Sequence, residues 1–263
     1  RTTSSAASDV YKRQDFRNNI VVADIEGIKV LNFSSKKRAD ELSKKYNIPL
    51  INSKSAKSYI SMDKKSILHF ENDKLENSFN VGRFSARIKQ YQSETLLKKA
   101  VGWQSSIQKH ILDATGGLGH DSFILALLGQ KITLLEKNTG LCILIEEALN
   151  NLPKLPYFNN ARNNISIINK DSRAFLTSAE HFDVIYIDPM FNSDKKLKRS
   201  KQMEFLANYL AEYDDPSIDF YQTKFKRMVI KKEFRSSSGI KDDPAISFKG
   251  ASIKYDVYLK GEV

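Results

Sequence analysis

Ile111-Leu-Asp-Ala-Thr-Gly-Gly-Leu-Gly-His-Asp121 is an apolar run that breaks into a glycine-rich turn and then opens a helix. Glycine at 116, 117 and 119 lets a ligand approach the main chain, and the helix N-terminus that follows favours negative charge. On its own such a turn is shared by dehydrogenases and by plain tight turns. The downstream pattern narrows the choice. Strands are expected at 109–114, 131–136, 165–169, 182–187 and 227–231, with helices near 119–129, 139–151, 172–179 and 200–212. Near-continuous apolar strands separated by amphipathic helices predict an α/β fold, a doubly wound and mostly parallel sheet covered on both faces. The stretches 245–248 and 252–259 alternate as an antiparallel edge pair at the C-terminal end.

In such a sheet, ligands bind beyond the carboxyl ends of the strands. Glu136 ends the second strand 23 residues after Asp113, near the spacing of about 20 at which an acid takes ribose hydroxyls. Asp171-Ser172 ends the third strand, where a side chain can hold an adenine amine, and Asp188 ends the fourth. The Gly116, Gly117, Gly119 loop lacks the full dinucleotide spacing, so a nucleoside cofactor, S-adenosylmethionine, is expected in preference to NAD. Simpler roles stand beside these. Asp113 can brace the glycine turn, Asp171 can cap a helix, and His120 can be a solvated residue. Cys142 falls at helical spacing among Leu141, Leu144 and Ile145, which reads as core.

A second stretch, Phe182-Asp-Val-Ile-Tyr-Ile-Asp-Pro-Met-Phe191, ends in a carboxylate, a proline and an aromatic ring. It is a variant of the Asp/Asn-Pro-Pro-Tyr/Phe signature of enzymes that methylate exocyclic or amide nitrogens. A nitrogen of that kind is a poor nucleophile because its lone pair is delocalised. Asp188 and the Pro189 carbonyl can accept its N–H hydrogens and turn the lone pair outward, while Phe191 offers a stacking face. The bland alternative is a strand-ending Asp-Pro turn with a buried Phe. The second proline of the signature is missing, which weakens an adenine-N6 assignment and leaves room for guanine N2. Lys195, Lys196, Lys198, Arg199 and Lys201 follow closely and are expected to grip RNA phosphates, or else to form a solvated loop. Lys231 and Lys232, at the end of the fifth strand, raise the same expectation.

The phrases Leu112-Asp-Ala-Thr-Gly-Gly-Leu-Gly-His-Asp121, Leu135-Glu-Lys-Asn138, Tyr186-Ile-Asp-Pro-Met-Phe191, Val229-Ile-Lys-Lys232 and Lys254-Tyr-Asp-Val-Tyr258 resemble the ribosomal RNA small subunit methyltransferase J family. The resemblance runs over about 81–259. It implies a class I, Rossmann-like methyltransferase that moves a methyl group from S-adenosylmethionine to the N2 amine of one guanine in small-subunit (16S) ribosomal RNA. Carried over position by position, it places cofactor contacts on His120, Asp121, Glu136, Lys137, Asp171, Ser172 and Asp188. Three of these depart from the family, which usually has Arg at the positions of His120 and Lys137 and Ser at that of Asp171. A glycine-rich run is replaced by Ile88-Lys-Gln-Tyr-Gln92. Adenine-N6 or protein-amide methylation, or RNA binding by an inactive methyltransferase fold, are the rival readings.

The rest of the chain sets the frame. Its 263 residues, 41% hydrophobic and 28% charged, suit a globular protein with a sizeable core. The net charge of +11 fits a polyanionic partner such as ribosomal RNA or the small ribosomal subunit, or equally an AT-rich genome that favours Lys and Asn codons. A lone cysteine excludes an internal disulfide and suits a reducing cytoplasm. No apolar run has membrane-spanning length, and the scattered histidines supply no metal spacing. A monomer is expected. Residues 1–14 resemble a translated adapter tail and are expected to be disordered; 15–84 form a small N-terminal α/β domain, 85–108 a linker with a helix, and 109–263 the methyltransferase domain. Within the small domain, 20–25 and 29–33 read as a hairpin turning at Glu26-Gly27. Ser34-Ser35 should cap a helix over 36–46 that Asn47 and Pro49 end, with strands at 59–62 and 67–70. Another helix is expected at 94–101, stopped by Gly102.

Overall fold

The computed structural model describes residues 24–80, 82–189, 200–210, 215–236 and 239–260. The tail 1–14, the first part of the strand expected at 20–25, Phe191, Lys195, Lys196, Lys198 and Arg199 lie outside the described residues. Two sheets share the chain. The larger has seven strands: β5 (His110–Asp113), β6 (Lys131–Leu135), β7 (Ile165–Ile168), β8 (Val184–Ile187), β9 (Arg227–Glu233), β10 (Ile246–Lys249) and β11 (Ile253–Leu259). Their spatial order is β10-β11-β9-β8-β5-β6-β7. The five strands from β9 to β7 run parallel, and β10 and β11 are antiparallel additions at one edge. This is the doubly wound, mostly parallel sheet expected. Every residue of β8 is buried, as a strand covered on both faces must be. β5 has β6 on one side and β8 on the other, so strand order reverses between β5 and β8. The crevice for a ligand opens there, above Asp113 and Asp188.

The smaller sheet has the order β1 (Gly27–Val30), β2 (Ser58–Met62), β3 (Ser66–Phe70), β4 (Asp73–Glu76). The expected hairpin at Glu26-Gly27 is corrected: Gly27 opens β1, and β1 pairs in parallel with β2. Each residue of β1 meets a partner 32 positions further on, Gly27 opposite Tyr59, a pairing no local turn signal announces. Helix α1 (Lys36–Tyr46) crosses between them and ends where Asn47 takes the left-handed conformation, φ 51°. Ser35 stands at its start without capping it, because its hydroxyl donates to the Asp63 carbonyl. Asn32 caps the preceding 3-10 turn instead.

Along the chain, α2 (Gly82–Lys89) and α3 (Thr95–Ala100) come after the strands of the small sheet and before β5; α4 (His120–Leu127), α5 (Thr139–Asn150), α6 (Pro156–Asn163), α7 (Lys201–Tyr209) and α8 (Ser217–Tyr221) follow, with a 3-10 segment over Ser172–His181. β4 and α6 carry no strong sequence signal. α5 buries ten of its twelve residues, more than an amphipathic surface helix would. The cause is its position between two layers. Ile145, Ala148 and Leu149 join the core of the large sheet, while Leu141, Ile143 and Leu144 join that of the small one with Ile28, Ile60 and Leu68. Cys142 is fully buried in α5, as core. The small sheet is pinned to α5 by polar contacts as well. Glu147 accepts from Arg38 Nε at 2.7 Å and Ser66 Oγ at 3.0 Å, and Asp24 accepts from the Thr139 amide at 2.7 Å. No helix of the described residues is long and apolar enough to cross a membrane.

Candidate active site

The turn after β5 is held from three sides. Asp113 is 3% exposed and accepts from the Thr115 amide at 3.1 Å and the Ser122 hydroxyl at 2.6 Å. It therefore braces the turn, and burial pushes its carboxyl up to about 7. Gly116 lies flat on β6: its amide donates to the Leu135 carbonyl at 2.8 Å, and a Cβ there would meet Leu134 at 2.4 Å. Gly117 has φ +53° and donates its amide to Glu136 Oε2 at 2.8 Å. Glu136 Oε1 accepts from the amide and the side chain of Asn138, each at 2.8 Å. The acid that ends β6 thus fixes the glycine turn, and burial raises its pKa. A carboxylate oxygen offers two acceptor positions, so Oε2 retains one for a hydroxyl.

These groups wall a cavity of about 430 Å³, lined by Asp113, Gly116, Gly117, His120, Asp121, Glu136, Lys137, Asp171, Ser172, Asp188 and Pro189. Eleven of the expected cofactor and catalytic residues therefore converge from four strand ends. Of the expected cofactor contacts only Gly119 is missing from the wall; with φ +73° it starts α4. Asp171 both borders the cavity and caps the 3-10 segment, accepting from the Arg173 amide at 2.9 Å. His120 is packed rather than solvated: its ring stacks on Phe84 at 4.1 Å. Burial, and the nearby Arg87 and Lys231, outweigh Asp121 and lower its pKa to about 4.

The part of the wall built by Asp121, Asp188 and Lys231 is charged. Thr115 Oγ1 accepts from the Asp188 amide at 2.7 Å, tying the end of β8 to the β5 turn. Lys231 Nζ lies 2.7 Å from Asp188 Oδ2 and 2.8 Å from Asp121 Oδ2. Arg87 of α2 donates to Asp121 Oδ1 and to Glu94, and the Tyr186 hydroxyl also donates to Asp121. Burial opposes ionisation of Asp121, but Lys231 and Arg87 hold its pKa far below the usual carboxylate range. For Asp188 the balance is reversed: desolvation raises its pKa despite Lys231.

Lys231 was expected to face RNA phosphate and instead stands in the cavity wall. Lys232 is corrected more sharply. Successive strand residues point to opposite faces, and its ammonium is 2% exposed, paired with Asp256 at 2.7 Å. It belongs to the sheet and offers nothing to a polyanion. Lys201 is exposed at the start of α7. The cavity also uses Thr115 and Tyr186, which lie within the two motif stretches without a role read for them, and Arg87, Gln202 and Met203, which lie outside both. The only local mark of Arg87 in the sequence is its place in a basic run, Arg83, Arg87 and Lys89 around Phe84, ahead of the helix at Thr95.

Asp188 and Pro189 share one cavity with the glycine turn and the acids of the neighbouring strand ends. The model of the putative SAM-dependent methyltransferase family matches residues 41–260. Ribosomal RNA small subunit methyltransferase J of Francisella philomiragia subsp. philomiragia is 31% identical over 198 residues, covering 73% of this chain and 82% of that protein. Its counterpart in Francisella tularensis subsp. novicida is 30% identical over the same shares. A crystallised SAM-dependent methyltransferase of Neisseria gonorrhoeae, 21% identical, superposes with a TM-score of 0.67 over 89% of this chain and 95% of its own, a likeness of fold.

Proposed function

We propose that this chain, which belongs to the family of SAM-dependent methyltransferases, methylates small-subunit ribosomal RNA at the N2 amine of one guanine. The observation that carries the reading is the meeting of Asp188 and Pro189 with Gly117 and Glu136 in one cavity. The residues present suit the cofactor. A Cβ at Gly117 would touch only the Thr115 carbonyl, at 3.8 Å, and Glu136 Oε2 keeps acceptor capacity in the cavity wall. Glu136 would take ribose hydroxyls and Asp171-Ser172 the adenine edge, with Gly116, Gly117, Gly119, His120 and Lys137 around them. When bound, S-adenosylmethionine supplies an electrophilic methyl group on a sulfonium.

The chain's own residues would do the rest. Asp188 accepts one N–H of the guanine amine and the Pro189 carbonyl the other. Two fixed acceptors hold the nitrogen with its lone pair out of conjugation and stabilise the positive charge that grows there. Phe191 stacks on the base, and Lys195, Lys196, Lys198, Arg199 and Lys201 hold flanking phosphates. The relatives named for ribosomal RNA and the net charge of +11 support this substrate. The same proposal includes a cytoplasmic monomer whose domains are 15–84, 85–108 and 109–263. Purified protein, labelled S-adenosylmethionine and unmodified small-subunit RNA should yield N2-methylguanosine by nucleoside mass spectrometry, with Asp188→Ala inactive. Methyladenosine, or no methylated nucleoside, would overturn it.

A further inference from the structure

We infer that Lys231 is a positioning residue for the methyl transfer, an ammonium that fixes the Asp188 carboxylate towards the acceptor amine and is itself anchored by Asp121. The inference rests on the methylation reading above and adds to it the device that keeps its central acid in place. β8 and β9 run parallel with Ile187 opposite Ile230, so Asp188, the first residue past β8, and Lys231, still within β9, stand side by side. The Lys231 ammonium then divides its protons between Asp188 at 2.7 Å and Asp121 at 2.8 Å. Asp121 cannot be a loose surface acid. It is 6% exposed and takes donors from Arg87, Tyr186 and Lys231, and Arg87 is locked in turn by Glu94. Each member of this chain has its partner fixed by the next, from α2 through α4 to β9.

The consequence is chemical. An amine N–H is best received by an ionised carboxylate of fixed orientation, because charge-assisted hydrogen bonds are the shorter and stronger ones. Burial pushes Asp188 towards the neutral acid, which would present a hydroxyl where an acceptor is needed. The ammonium opposes this, and by binding Oδ2 it also sets the plane of the group. A purely structural lysine would neutralise Asp121 and leave Asp188 indifferent. The two roles differ in what happens to Asp188.

Lys231→Met, Lys231→Arg and Lys231→Cys would be made, the last with and without 2-bromoethylamine, which rebuilds a lysine-like ammonium; the native thiol, Cys142, is buried. Two measurements are needed: the pH profile of kcat on small-subunit RNA, and the carboxyl titration of Asp188 by ¹³C NMR, assigned with Asp188→Asn. Lys231→Met should lower kcat about 100-fold, the scale of a small misplacement of a reacting group. KM for RNA and the affinity for S-adenosylhomocysteine should hold. Its Asp188 should titrate at higher pH than in the wild type, with the acid limb of kcat moving the same way. Lys231→Arg and the aminoethylated cysteine should recover both, and the unmodified cysteine should not. An Asp188 titration and acid limb unchanged in Lys231→Met would overturn the inference, as would a loss that neither cationic replacement repairs. The NMR titration needs no RNA, so wild-type inactivity towards RNA would count against the methylation reading while the role of Lys231 is still decided.

Discussion

Gly116 and Gly117 are neighbours in one turn, yet the structure gives them different reasons to be glycine, and alanine at each should fail differently. A Cβ at 116 would stand 2.4 Å from Leu134 Cδ2 and 2.9 Å from the Leu135 carbonyl oxygen, and the Gly116 amide bonds that same carbonyl. The side chain can shift; the backbone oxygen can move only if β6 does. Overpacking of this kind costs about 1–3 kcal/mol, offset by about 0.4–1 kcal/mol from the stiffer unfolded chain. Gly116→Ala should therefore lose about 1–2 kcal/mol, or roughly 2–8 °C in Tm for a chain of this size. At 117 a Cβ would meet only the Thr115 carbonyl, at 3.8 Å, but φ is +53°. The left-handed conformation costs about 1–2 kcal/mol for alanine, and the same unfolded-state gain leaves a net loss of up to about 1.6 kcal/mol. The methyl group would stand at the cavity wall. Thermal unfolding with calorimetric titration of S-adenosylhomocysteine separates the two: Gly117→Ala should keep most of its stability and lose affinity at least tenfold, about 1.4 kcal/mol. Wild-type affinity in Gly117→Ala would refute its place against the ligand, and wild-type stability in Gly116→Ala would refute the packing of the turn on β6.

Lys232→Met should lower stability by about 3 kcal/mol, the low end for breaking a buried ion pair, since Lys254 at 3.4 Å and the Ser247 hydroxyl still face Asp256; RNA affinity by fluorescence anisotropy should not change. Asp113 has its pKa raised from 3.8 to about 7, so the folded state holds a proton that the unfolded chain has lost, and this contribution disappears as pH rises from about 4 to 7. Asp113→Asn should accordingly gain on the wild type across that window, by at most about 4 kcal/mol at 1.36 kcal/mol per pKa unit, in denaturant titrations at stepped pH. Asp24→Ala removes the acceptor of the Thr139 and Gly140 amides at the start of α5 and should lower stability by about 1–2 kcal/mol, as loss of a cap does. An unchanged denaturation midpoint would show that α5 keeps its place without that acceptor.

The sheet strands of the larger layer, the glycine turn and the acids at the strand ends were legible because each is a local pattern. Apolar runs declare a strand buried on both faces, and a turn residue or a carboxylate directly after one declares where the strand stops. Asp113, Glu136, Asp171 and Asp188 each follow such a run, and the sequence alone therefore sets them around one crevice. Pairing across distance left no such mark. β1 lies beside β2 because the intervening helix returns the chain, not because of its own turn at Glu26-Gly27. α5 reads as apolar nearly all round, and only a second sheet packed on its outer face explains it. Arg87 reaches Asp121 across 34 positions and Lys231 reaches it across 110. Lys231 and Lys232 make the point most plainly. Equal in charge and adjacent in sequence, they leave β9 on opposite faces, one to the cavity and one to Asp256. Composition fixes how much charge the chain carries, but pleat and packing decide where each charge is put, because a buried ammonium persists only where the fold supplies a carboxylate to meet it.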